Sequence, residues 1–301
     1  MGSGRCSRPR DVENRSETCR LAVTVANRTF LGLPARMVVR MDDPVLLTGA
    51  GGRVGQAILR HVGSEFDWRL LDREPLPDAK RPESVDDDDV FVADVTDDEA
   101  VHEALEGCRA VVHLAGDPRP EAPWDSVLQN NIDGTQTMFE AAVETGVEKF
   151  AFASSNHAVG AYETDARTPE MYRPEDEFRL DGTELPRPSN LYGVSKASGE
   201  VLGRYYHDHH DLSVVNVRIG NLTEGHPPID YERGQAMWLS YRDCAHLFER
   251  CILADYDYEI VYGISDNDRK YYSIERAKDV LGYDPQDNSA EWRDDERVVE
   301  E

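Results

Sequence analysis

Short, almost wholly apolar runs alternate along this chain with longer stretches in which apolar positions recur every three to four residues. The first pattern reads as buried strand and the second as amphipathic helix. Strands are expected near 44–48, 67–72, 89–93, 110–115, 148–154 and 213–219, and helices near 53–63, 97–106, 125–145, 190–209 and 243–253. Asp97, just ahead of Asp98-Glu-Ala-Val-His-Glu, is placed to cap the second of these helices. Strand–helix alternation of this regularity implies a parallel sheet covered on both faces, an α/β doubly wound architecture. Residues 163–188, rich in Pro, Glu, Asp and Arg and lacking periodicity, read as a long loop over a site, leading into the helix near 190–209.

The first predicted strand, Pro44-Val-Leu-Leu47, runs into Thr48-Gly-Ala-Gly-Gly-Arg-Val-Gly55, with glycines at 49, 52 and 55. A strand, a glycine-rich turn and a helix in that order form the Rossmann cradle for a dinucleotide pyrophosphate. Gly49, Gly52 and Gly55 allow close backbone approach, and the helix start at Arg53 and Val54 offers N–H groups to the phosphates. The second strand ends in Asp72, whose carboxylate suits an adenosine ribose and repels a 2′-phosphate. NAD is therefore expected over NADP, with Arg73 weakening the exclusion. Asp94 and Val95 are placed to meet the adenine, and Leu114, Ala115 and Gly116 form a small-residue turn beneath the cofactor.

Tyr192 and Lys196 stand four residues apart on a predicted helix, so their side chains share a face. An ammonium beside a phenol favours the phenolate, making Tyr192 a candidate general base with Lys196 as its activator.

With these motifs in order from about Asp43 to about Trp292, the chain resembles the extended short-chain dehydrogenases/reductases. The resemblance implies a serine at the end of the fifth strand as the third catalytic group. Ser155 is the choice in Phe150-Ala-Phe-Ala-Ser-Ser-Asn-His157, with Ser154 as the neighbour one residue out of register. Asn130 and Asn131 match the family's structural asparagine, which assigns Asn131 to the cofactor side. Only 105 residues (301 − 196) follow Lys196, too few for the large domain with which many relatives grip a nucleotide-sugar. Val217-Arg-Ile-Gly-Asn221, Tyr231-Glu-Arg233, Met237-Trp-Leu-Ser240 and Ser-Ser-Asn-His at 154–157 are similar to uronate dehydrogenases and to the NAD-dependent glucose-6-phosphate dehydrogenases of halophilic archaea. That resemblance implies sugar binding by Ser155, Asn156 and His157 and an anion grip by Arg233. It also implies a cofactor contact at Asn221 and a homo-oligomer.

The sequence departs from uronate dehydrogenases at Gly116-Asp117-Pro118-Arg119-Pro120, which puts Asp117 and Arg119 at the substrate, and in a longer 222–236 loop. An arginine there suits a doubly charged phosphate, and the resemblance to the halophilic group then implies glucose 6-phosphate, oxidised at C1, as the expected reaction. A uronate dehydrogenase, or an epimerase or dehydratase with tightly held NAD, remains the alternative.

Composition narrows the rest. The net charge of −26, from 59 acids and 33 bases, argues against a nucleic-acid surface. It suits a hydrated surface in a salt-rich cytoplasm, where screening blunts self-repulsion. No apolar run approaches the ~18 residues of a membrane span. Five cysteines (6, 19, 108, 244, 251) show no disulfide or metal spacing and fit reduced thiols, and no metal is expected. Residues 1–40 carry eight Arg and three acids, net +5, so the remainder carries −26 − 5 = −31. This break reads as an extraneous extension ahead of a start at Met37 or Met41. Residues 41–301 are expected to form one NAD-binding domain with substrate-binding parts from 155–190 and 220–290.

Overall fold

The computed structural model describes residues 43–163, 179–228 and 232–292. The extension with its two cysteines, both candidate start methionines, most of the expected loop at 163–188 and Tyr231 lie outside the described residues. Strand β1 (Val45–Thr48) leads to helix α1 (Arg53–Val62), β2 (Trp68–Asp72), β3 (Val90–Val92), α2 (Asp98–Leu105) and β4 (Ala110–His113). Helix α3 (Trp124–Ser126), a π-helical turn (Val127–Asp133) and α4 (Gly134–Glu144) follow one another directly. Then come β5 (Lys149–Ser155), α5 (Leu191–His210), β6 (Ser213–Ile219), β7 (Asn221–Leu222), α6 (Glu232–Ala236), β8 (Trp238–Leu239), α7 (Tyr241–Leu253), β9 (Tyr258–Gly263) and α8 (Glu275–Leu281).

Seven strands form one parallel sheet in the order β3-β2-β1-β4-β5-β6-β9. Successive strand residues point to opposite faces, and both faces are dry. Leu46, Val111, Phe150 and Phe152 pack with Val101, Met138 and Phe139 on one side. On the other, Val45, Leu47, Val112, Ala151 and Val215 meet Ala57, Ile58, Leu247 and Phe248. The order reverses between β1 and β4, and at such a point the carboxyl ends of parallel strands open a ligand crevice.

All six expected strands and all five expected helices occur, with shifted ends that have local causes. Asp97 does cap α2, accepting from Ala100 N. β4 stops at His113 because the Thr48 hydroxyl accepts from the N–H groups of both Leu114 and Ala115 (3.2 Å each), pulling the chain out of the ladder. The long helix near 125–145 is broken by its π-helical turn, where buried Asn131 turns inward. The expected 222–236 loop carries a short helix, α6, at its end. Strands β7, β8 and β9 and helix α8 were not expected. Lys149 is nearly buried and donates to the carbonyls of Ile252 (3.2 Å) and Ala254 (2.7 Å), satisfying the carboxyl end of α7.

Candidate active site

A cleft of about 1060 Å³ opens along the carboxyl ends of the strands on both sides of β1 and β4. At one end is the glycine turn. Gly49 sits at φ +66°, and a Cβ there would come 2.9 Å from Ala115 N, so the two turns touch backbone to backbone. Gly52 is the N-cap of α1 and brings no side-chain cap, which leaves the first helical N–H groups facing the cleft. Asp72 straps the turn from below: Oδ2 accepts from Gly51 N (2.8 Å) and Oδ1 from Glu74 N (3.2 Å). Gly55, Arg53, Val54, Arg73 and Val95 complete this wall, with Asp94, whose Oδ1 accepts from the backbone and hydroxyl of Thr96. Arg53 Nη1 also reaches Leu222 O (3.2 Å), tying the turn to β7, where Asn221 lines the cleft.

The floor is set by an unforeseen group, His113. Fully buried, it bonds Thr48 Oγ1 through Nδ1 (2.8 Å) and Thr135 Oγ1 through Nε2 (3.2 Å). Burial, aided by the nearby Lys196 charge, pulls its pKa down to about 3 and keeps it neutral. Leu114, Ala115 and Gly116 line the cleft above it. Asn131 lies behind this wall rather than in it. Its Oδ1 accepts from Asp117 N (2.6 Å), and its Nδ2 donates to Asp117 O (3.1 Å) and Ser195 Oγ (3.0 Å). It thus pins the post-β4 turn to the helix that carries Tyr192 and Lys196, while its neighbour Asn130 faces the cleft.

Helix α5 enters tightly against the turn after β5: a Cβ on Gly193 would lie 2.2 Å from His157 O. Asn190 caps the helix through Oδ1 on Gly193 N (2.7 Å). That leaves its Nδ2 to donate to His157 Nδ1 (3.0 Å), so the ring holds its proton on Nε2. Burial, then the charge of Arg233, lowers the His157 pKa. Ser155 and Ser154 part company as neighbours on a strand must. Ser154 donates to Glu200 on α5 (2.6 Å). Ser155 Oγ donates to Asn156 Oδ1 and accepts from His157 N (3.2 Å each), and it lies beside Tyr192 on the cleft wall, close enough to draw the phenol pKa down. This geometry favours Ser155 over Ser154.

Lys196 was expected to lower the Tyr192 pKa, but burial pushes the phenol up to about 12 against the pull of Ser155. Lys196, its Nζ 5.7 Å from the Tyr192 ring centroid and 5.0 Å from that of Phe152, is itself drawn down to about 8 by burial. Desolvation dominates both groups.

At the other end of the cleft each arginine is paired with a carboxylate. Arg119 grips Asp117 through Nε (2.9 Å) and Nη2 (2.6 Å). That contact and the Ser126 hydroxyl (2.6 Å) hold the Asp117 carboxyl well below the usual carboxylate range. Arg233 donates through Nε to Glu163, which sequence reasoning missed because no motif marks it. Met237, also missed, lines the cleft and accepts from Asn156 Nδ2 through sulfur (3.8 Å). Among the described residues no group of three or more metal-type ligands occurs, and no helix is long and apolar enough to cross a membrane.

The family model for the NAD-dependent epimerase/dehydratase family matches residues 45–235. The chain is 81% identical over 252 residues to the NAD-dependent glucose-6-phosphate dehydrogenase of Haloferax volcanii, covering 84% of this chain and 96% of that one. It is 34% identical to the uronate dehydrogenase of Pseudomonas putida, over 83% of this chain and 86% of the relative. Among solved structures, a uronate dehydrogenase variant from Agrobacterium tumefaciens complexed with NAD superposes with a TM-score of 0.71 at 31% identity, covering 83% of this chain and 87% of that one.

Proposed function

The chain belongs to the NAD-dependent epimerase/dehydratase family, and we propose that it oxidises a sugar at C1, with glucose 6-phosphate as substrate and NAD as cofactor. The observation that carries this reading is that Ser155, Tyr192 and Lys196 line the same cleft as Arg119 and Arg233. The 81% identity to a glucose-6-phosphate dehydrogenase supports the substrate.

The cleft fits the cofactor. The uncapped start of α1 and the backbone-close glycine turn suit a pyrophosphate, and Asp72 suits a ribose with free hydroxyls. Bound NAD supplies the hydride acceptor. Tyr192 takes the proton of the C1 hydroxyl, and Ser155, beside it on the cleft wall, orients and polarises that oxygen. Lys196 supplies positive charge beside the phenol as it ionises. Since burial holds the phenol near 12, ionisation becomes easier as pH rises, and turnover should climb from about pH 7 to 9. Asn156 and His157 meet the sugar hydroxyls, and Arg119 and Arg233 meet its anionic end. The acidic surface suits a salt-rich cytoplasm and the assembly is a homo-oligomer on this reading.

The test is a panel of glucose 6-phosphate, glucose, glucuronate and galacturonate with NAD and with NADP at molar salt. NADH formed fastest from glucose 6-phosphate is the expected result. Preference for a uronate would move the assignment to a uronate dehydrogenase, and no net NADH from any sugar would favour an epimerase or dehydratase.

A further inference from the structure

Glu163 is placed as no sequence pattern foretold. It stands 70 residues from Arg233, whose Nε donates to Oε2. Its other oxygen, Oε1, accepts from two phenols, Tyr271 (2.8 Å) and Tyr272 (2.5 Å). Both tyrosines are fully buried, and Tyr272 stacks on Tyr262 with centroids 4.3 Å apart and planes 12° apart. The Tyr262 hydroxyl in turn meets Arg218 Nη1 (3.2 Å) and donates to Glu184. Glu163 is thus a carboxylate held from behind by a rigid aromatic wall, not a mobile surface acid.

We propose that Glu163 is a positioning residue for the anionic end of the substrate. Clamped by Tyr271 and Tyr272, it takes Arg233 at Nε and fixes the plane of the guanidinium at the cleft wall. Held at Nε, the guanidinium keeps its orientation at the cleft wall when a carboxylate or phosphate arrives. Arginine has several rotatable bonds, and holding one end in advance reduces the ordering cost when the ligand arrives. The inference rests on the reading that Arg233 meets the anion.

The test is a comparison of Glu163→Ala, Glu163→Gln, Tyr272→Phe and Arg233→Ala in the full protein, each first checked for folding by thermal unfolding. Glu163→Ala should raise KM for glucose 6-phosphate about five- to tenfold, within the range of one charge-assisted contact. It should leave kcat, and the Michaelis or inhibition constant of neutral glucose, within about two- to threefold. Glu163→Gln retains an acceptor for Nε and should restore part of the loss; it reads the same split if truncation unfolds the protein. Tyr272→Phe, with Tyr271 still in place, should give a smaller shift in the same direction. Equal effects on charged and neutral sugars would assign Glu163 to folding, and a lower KM in Glu163→Ala would make it a competitor for Arg233. Either result overturns the proposal. If Arg233→Ala is selective for the charged sugar while Glu163→Ala is not, the positioning role alone fails. If Arg233→Ala is unselective, the anion-binding reading fails with it.

Discussion

Arg218 grips Glu200 through two parallel hydrogen bonds, Nε to Oε1 and Nη2 to Oε2, each 2.8 Å, with both side chains out of water. Glu200 lies one helical turn beyond Lys196 on α5 and also accepts from Ser154, the residue before Ser155. The pair therefore joins α5, the helix that carries Tyr192 and Lys196, to β5 and β6. Arg218→Leu would leave the Glu200 carboxylate buried without its guanidinium, a change that costs about 3–5 kcal/mol. Urea unfolding should show a midpoint lowered to match. A midpoint near that of the parent would mean that the network relaxes without penalty.

Tyr192→Phe removes the proposed proton acceptor and leaves the rest of the cleft wall intact. Turnover is expected to fall by at least ~10², with NAD affinity by calorimetry little changed. Activity within a few-fold of the parent would take Tyr192 out of the mechanism.

Asp72→Asn keeps an acceptor for one of the two N–H groups that the carboxylate now serves, Gly51 and Glu74, while removing the charge. The ratio of KM for NADP to KM for NAD should shrink. An unchanged ratio would shift the discrimination to a neighbour, Arg73 first.

His113 gives the fold a pH dependence of defined sign. Its folded pKa, about 3, lies below the ordinary histidine value of 6.5, so the unfolded chain binds a proton that the folded chain refuses. The contribution is whole above about pH 6.5 and is lost as pH falls toward 3, at up to ~1.4 kcal/mol per pH unit. Between about pH 6.5 and 4.5 the unfolding free energy of the parent should fall more steeply than that of His113→Asn, whatever their absolute difference. Parallel slopes would show that His113 takes up its proton without unfolding.

What was legible in the sequence was local. The six predicted strands are short stretches built around apolar residues, and the glycine turn, Asp72 and the Tyr192/Lys196 spacing each lie within one element or its end. β9 escaped because it is an edge strand, half-buried over Tyr258–Ile260 and dry only at Val261–Gly263, so neither alternation nor a continuous run marks it. β7 and β8 are two residues each and owe their pairing to the fold around them. The same division holds in the cleft. Ser155 follows from the family resemblance and its place at the end of one strand, whereas the pairing of Glu163 with Arg233 and the burial of His113 depend on residues brought together from far along the chain. Burial also reversed the expected direction at Tyr192, because spacing reveals a neighbouring charge but not the water excluded from around it.

The carboxylate partners of Arg119 and Arg233 bear on how quickly a sugar phosphate is captured. With each guanidinium offset by an acid of the same chain, the mouth projects little positive field, while the molecule as a whole carries −26. An anionic sugar therefore drifts in against a weak repulsion, the reverse of the attraction that speeds many charged encounters. Raising ionic strength shortens the reach of that repulsion to about 3 Å at 1 M. Salt should accordingly raise the association rate for the phosphorylated sugar and leave that of neutral glucose unaltered.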